Sequence, residues 1–155
     1  DLIGDDTDAH IDTLARFAPN NLIIYQGCQD PNDEHFLGLL AMKNQLSTFK
    51  NRHGKPYTLI ELPLPEAIFE NNFNTDIENQ SQRLPASYAN FLFINGAVLL
   101  PTYKVPQDLQ AISIMKTALP NYEVIPIDCS ILIRQYGSLH CISMQLPVPT
   151  PNGLT

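Results

Sequence analysis

Apolar positions along the chain alternate between short extended runs and helical spacing, and the switches between the two mark the elements. Asp12 to Ala18 and Leu22 to Tyr25 predict two short strands around the turn Pro19-Asn20-Asn21. A helix follows, with Asn32 as N-cap, Asp33 and Glu34 in its first turn, and Phe36, Leu39, Leu40, Leu46 and Phe49 along one face. Gly54 and Pro56 end it, and Tyr57 to Leu62 is a strand closed off by Pro63 and Pro65. Asn71 to Arg83, polar and rich in Asn and Gln, reads as a surface loop. Beyond it, Tyr88 to Ile94 and Ala97 to Leu100 flank Asn95-Gly96, a strong hairpin signal. A second helix is predicted over Gln107 to Ala118, with Leu109, Ile112, Met115 and Leu119 on its buried side and Pro120 as its stop. Glu123 to Ile127 and Leu139 to Gln145 complete the strands. The order strand, strand, helix, strand thus occurs twice. That makes the chain α/β and suggests two stacked ββαβ modules, although a plain α/β sandwich has the same order.

Composition narrows the class. At 155 residues, 44% hydrophobic and 16% charged, the chain has the length and make-up of one folded domain. Its formal net charge of −7 speaks against nucleic acid or an anionic membrane surface as partner, and suits a small cationic ligand. Cys28, Cys129 and Cys141 are odd in number and widely spaced, so they form neither a disulfide framework nor a zinc pattern; a reducing cytoplasm is the expected location. There is no long apolar run or basic leader to place in a membrane. The chain opens at Asp1 without Met, as a piece of a longer polypeptide would.

Three patches could carry chemistry. In the first, His10 and Asp12 would face one side of an extended segment while Ile11 enters the core, setting a proton carrier beside an anion. The same spacing fits a strand-end histidine bonded only to its neighbours. In the last, Cys141 follows the flexible approach Gly137-Ser138, and a nucleophilic cysteine needs a nearby cation to ionise. His140 is adjacent, but consecutive strand residues point to opposite faces, so His10 is the better partner. A cysteine so placed also reads as an inert core thiol, the reading given to Cys28 and Cys129. His35 and His53 read as solvent-side or capping residues at helix ends. No metal-ligand spacing links His10, Asp12, Asp5 and Asp8, and no glycine-rich phosphate loop is present, so neither metal nor cofactor is expected.

Gly4-Asp5-Asp6-Thr7-Asp8-Ala9-His10-Ile11-Asp12, then Leu84-Pro85-Ala86-Ser87-Tyr88-Ala89-Asn90-Phe91 with Asn95-Gly96, then Gly137-Ser138-Leu139-His140-Cys141-Ile142, closely resemble agmatine deiminase and the related bacterial peptidylarginine deiminases, in family order. Ala9 and Tyr136 depart from the glycines expected there. The resemblance implies a guanidine-modifying hydrolase of the pentein fold, a five-bladed α/β propeller, of which residues 1–155 would be the C-terminal portion of one catalytic domain, about the last two ββαβ modules. It implies Cys141 as nucleophile, His10 as proton carrier and Asp12 as a carboxylate gripping the guanidinium, with Asp6, Asp8 and Gly137 also against the substrate. Agmatine would give N-carbamoylputrescine, a step toward putrescine and the polyamines. A further Asp and Glu of the family lie in its N-terminal half, which is not in this sequence. Peptidyl-arginine as substrate, a non-catalytic pairing module and assembly into a homo-oligomer all stay open.

Overall fold

The computed structural model describes residues 2–5, 10–71 and 81–146. The predicted double cycle is present. Strands β1 (Ala15–Ala18) and β2 (Leu22–Gln26) pair antiparallel, helix α1 (Phe36–Leu46) crosses over, and β3 (Thr58–Leu62) pairs parallel with β2, Leu22 opposite Thr58. A short antiparallel hairpin, β4 (Phe69–Asn71) with β5 (Ser81–Arg83), links the units, so both ends of the predicted surface loop are paired strand. In the second unit β6 (Leu92–Ile94) and β7 (Ala97–Thr102) are antiparallel, α2 (Gln107–Ala118) crosses over, and β8 (Glu123–Asp128) pairs parallel with β7.

The units repeat down to single hydrogen bonds. The hairpin turn's carbonyl accepts from the first residue of the third strand in each, Thr58 N–H to Asn21 O and Glu123 N–H to Gly96 O, both 3.0 Å. Turn chemistry explains the hairpins: Asn20, Asn21 and Gly96 all take positive φ, the left-handed region open to Gly and tolerated by Asn.

Alternation along β2 divides the interior. Ile23 and Tyr25 face α1 and pack with Ala15 and Leu46, while Leu22 and Ile24 face the main core. That core joins both sheets through Leu62, Tyr88, Phe91, Val98, Leu100, Ala111, Met115 and Ile133, and α2 packs against β8 and also against β3 of the first sheet. The layers therefore run α1, first sheet, α2, second sheet.

Several expectations fail for identifiable reasons. Leu109 is 78% exposed, because the buried stripe of α2 runs through Ala111 and Met115 to Leu119, a spacing of four that leaves Leu109 off the face. On α1, Leu39 and Leu46 are buried while Leu40 is exposed, and Phe49, also exposed, lies beyond the helix end at Leu46. Asn32 does not cap α1; the Asp33 carboxylate accepts from the His35 amide, and His35 is buried. Residues 139–145 form turns and coil instead of a strand, and Leu132–Gln135 is a 3-10 turn ended by Tyr136 in left-handed backbone.

Candidate active site

The site gathers three segments that are distant in sequence. The first is a 3-10 turn, Ile11–Thr13, just before β1. Because the backbone turns there instead of running extended, the expected strand-face pairing of His10 with Asp12 does not form, and Ile11 is 62% exposed instead of entering the core. Thr13, buried, anchors the turn, its hydroxyl lying 3.0 Å from both the Asp5 carboxylate and the His10 carbonyl. His10 is exposed at the mouth of this turn. Asp6 and Asp8 lie outside the described residues.

The second segment is the buried turn Ser87 to Phe91, part of the stretch expected as strand, of which only Leu92–Ile94 pairs. Ser87 Oγ donates to the Thr13 carbonyl at 2.6 Å, which ties this turn to the first. The fully buried Gln26 braces it from β2, accepting the Tyr88 amide on Oε1 at 3.1 Å and donating to the Pro63 carbonyl at 2.6 Å. Tyr103, just after β7, donates its hydroxyl to the Ser87 carbonyl at 2.8 Å and lies 3.0 Å from Ser138 Oγ.

Asn90 joins this turn to the third segment, Gly137 to Cys141. Its side-chain Oδ1 accepts the His140 amide at 2.8 Å and the Cys141 amide at 3.4 Å. Those bonds fix the amide's orientation, since Oδ1 must face the two N–H groups. Nδ2 then donates to Asp12 Oδ2 at 3.2 Å and to Cys141 Sγ at 3.3 Å. A buried side chain thus does for the amides of residues 140 and 141 what a neighbouring strand would do.

Asp12 Oδ2 is the meeting point. It accepts from His140 Nδ1 at 2.6 Å and lies 3.7 Å from Cys141 Sγ. A carboxylate only accepts, so His140 Nδ1 carries the proton. The strand argument that set His140 aside therefore fails with the strand itself: His140 and Cys141 address one carboxylate from a turn. Burial works against the Asp12 charge, but hydrogen bonds from His140, Cys141 and Asn90, together with the imidazole's charge, outweigh it and hold the carboxyl below its ordinary pKa. The thiol shifts the other way: burial pushes Cys141 up, a backbone hydrogen bond at Ser138 partly offsets this, and the Asp12 charge raises it again. Asp12 Oδ1 is buried and has no hydrogen-bond partner among the described residues.

Gly137 is buried behind the thiol, where an added Cβ would stand 3.1 Å from Cys141 Cβ and 3.5 Å from Sγ. Cys141 is exposed, Cys129 buried and Cys28 partly exposed, its thiol 3.5 Å from the Asp30 carbonyl. Among the described residues no group of three or more His, Cys, Asp and Glu could hold a metal ion, and no helix is long and apolar enough to cross a membrane. Three residues in or beside this cluster had little to mark them in the sequence. His140 was misplaced by a wrong strand, Asn90 had only its presence in a motif to recommend it, and Arg16 showed only as a charge inside the apolar run Leu14-Ala15-Arg16-Phe17-Ala18.

Two ββαβ units holding a thiol, an imidazole, a carboxylate and a buried amide at one point define an α/β protein built around a cysteine centre. The model of the Porphyromonas-type peptidyl-arginine deiminase family matches residues 1–147, and the chain belongs to that family. An agmatine deiminase of Pseudomonas fluorescens (strain SBW25) is 28% identical over 160 residues, covering 97% of this chain and 44% of that protein. Among solved structures, a Porphyromonas gingivalis protein assigned as an arginine deiminase is 49% identical, with TM-score 0.85 over 95% of this chain and 41% of its own. The agmatine deiminase of C. jejuni with substrate bound is 41% identical, with TM-score 0.77 over 90% of this chain and 38% of its own. The chain therefore spans less than half the length of these relatives.

Proposed function

We propose that this site, within the full-length protein, hydrolyses a guanidine to a ureido compound and ammonia, with agmatine as first substrate and Cys141 as nucleophile. The observation that carries this reading is Asp12 Oδ1, a buried carboxylate oxygen without a partner beside an exposed thiol. A guanidinium is planar and offers parallel N–H donors, so it would satisfy that oxygen and hold its central carbon near the sulfur. Its charge also favours the thiolate, which burial and the Asp12 charge disfavour in the resting site. The thiolate adds to the central carbon, ammonia leaves after protonation, and water then cleaves the amidino-thioether to release the ureido product and free thiol. His10 is the proton carrier in this reading. A second assignment, His140, is favoured by its 2.6 Å bond to Asp12, the arrangement that orients an imidazole for acid–base work. Similarity to agmatine deiminases supports the substrate, and the family's name keeps peptidyl-arginine as the alternative. The two ββαβ units are read as adjoining blades of a five-bladed propeller.

The test is turnover of the full-length protein on agmatine and on an arginyl peptide. Cys141→Ser is expected to abolish ammonia release while substrate still binds, and a variant retaining most activity would exclude Cys141. Whichever of His10→Ala and His140→Ala lowers the rate by about 10²–10⁴-fold is the proton carrier, and a loss below about tenfold removes that residue from the role.

A further inference from the structure

β1 runs along the edge of the site and alternates as a strand must. Ala15 packs toward α1, Phe17 stacks with Tyr57 at 5.2 Å, and Ala18 packs on the main core. Arg16 lies on the same face as Ala18 and thus carries a charge to the core side of the strand. Its guanidinium sits 5.1 Å from the centroid of the Phe91 ring, and Nη1 donates to the Phe91 carbonyl. Phe91 is itself fully buried and packs edge-on against Phe93, so this anchor is rigid. No carboxylate side chain among the described residues forms a direct ion pair with Arg16. Burial disfavours its charge, and the interactions that partly offset this are with Asp12 and Cys141. Phe91 immediately follows Asn90, the residue that binds both.

We propose that Arg16 is a positioning residue and the resident cation of the site. Through the carbonyl and ring of Phe91 it holds the turn that aims Asn90, and its charge offsets the negative charge that Asp12 and the Cys141 thiolate share. Asp12 and a thiolate stand close together, and two anions there are unfavourable unless a fixed cation lies within reach. Asp12 from the 3-10 turn and Asn90 bear directly on the Cys141 thiol; His140 bonds Asp12, the Arg16 charge from β1 interacts with both Asp12 and Cys141, and His10 is exposed at the turn's start. The inference rests on Cys141 being the reactive thiol, but its test does not need turnover.

In the full-length protein, the rate of Cys141 carbamidomethylation by iodoacetamide is followed against pH, reading the Cys141 peptide by mass spectrometry. Arg16→Gln removes the charge and keeps a side-chain N–H donor, on a stem two bonds shorter than the guanidinium's. The expected result is an upward move of the pH midpoint, with a roughly three- to tenfold slower reaction at pH 7, because rate follows the thiolate fraction. An unchanged midpoint in folded Arg16→Gln overturns the proposal even if catalysis falls, since a merely structural residue would behave that way. If Arg16→Gln does not fold, Arg16→Lys decides. It keeps the charge, so a midpoint within a few tenths of a unit of the native one supports the proposal, and a rise of a full unit or more overturns it. Absence of guanidine turnover in the native protein would sink the functional reading and leave this titration standing on its own.

Discussion

Asp12 concentrates opposing demands on one side chain. Its Oδ2 receives His140, Asn90 and the thiol, while Oδ1 stays buried with no donor among the described residues. Leaving a buried charged oxygen without a donor costs about 1–3 kcal/mol, so the site stores a deficit that a cationic ligand would relieve. Gly137 is the second residue under local constraint. Alanine there would press on Cys141 Cβ from 3.1 Å, tighter than ordinary van der Waals contact, and since rotating the thiol leaves Cβ in place, the backbone would shift and carry Sγ away from Asn90. Gly137→Ala is therefore expected to lower turnover of the full-length protein by about tenfold with little change in thermal midpoint. Steady-state kinetics beside a melting curve check it, and native kcat would show that the thiol has room to move.

At the scale of elements, the strongest polar connection ties the N-terminal segment, α1 and β5 together. Arg83 of β5 bonds Asp33 at 3.0 Å and Glu34 at 2.8 Å, and Asp33 bonds His35 Nδ1 at 2.8 Å. His35 Nε2 in turn accepts the Ile3 amide at 2.8 Å, which requires the neutral ring with its proton on Nδ1. This chain of bonds fastens the segment that precedes the Ile11–Thr13 turn. Burial opposes the Asp33 charge, but Arg83 and His35 outweigh it and depress the carboxyl from 3.8 to about 2. A depressed carboxylate contributes stability that is whole above its unfolded pKa and is lost as pH falls through the folded one. Asp33→Asn should thus be less stable than the native protein by about 1–2 kcal/mol at pH 7. The gap should close between pH about 4 and pH about 2, as urea midpoints measured across that range would reveal. A gap that persists to pH 2 would mean that the pair does not carry the difference.

For the molecule as a whole, one flank stands out. Ile11, Phe17 and Phe49 are exposed, and with Ile23, Met42 and Leu46 they border an apolar groove of about 250 Å³. Contiguous exposed apolar surface of this kind favours association. The 155-residue chain on its own is expected to self-associate through this groove, and Phe17→Ser should shift it toward monomer. Sedimentation velocity across a concentration series decides the matter, since a native chain that stays monomeric would show the groove to be inert.

Local chemistry made much of the fold legible. The 3.6-residue spacing and Pro120 delimit Gln107–Ala118, and Asn-rich and Asn-Gly turns place both hairpins. The ββαβ order follows from those signals, and the motifs named Cys141 and Asp12 as neighbours of the chemistry. Which side chains Asp12 touches was decided by tertiary structure alone. Asp12 and His140 are 128 positions apart, and their contact depends on the Ile11–Thr13 turn and on Asn90 taking the backbone of residues 140 and 141 in place of a strand partner. Leu139 to Gln145 has strand-like composition, but it pairs with none of the described strands, and composition does not report where a partner lies. Arg16 likewise looks like any charge in a short strand until Phe91, 75 positions on, is brought beneath it. Periodicity is written in neighbours three or four residues apart, whereas this site is made of groups that only the packing of two sheets and their connecting turns brings within hydrogen-bond reach.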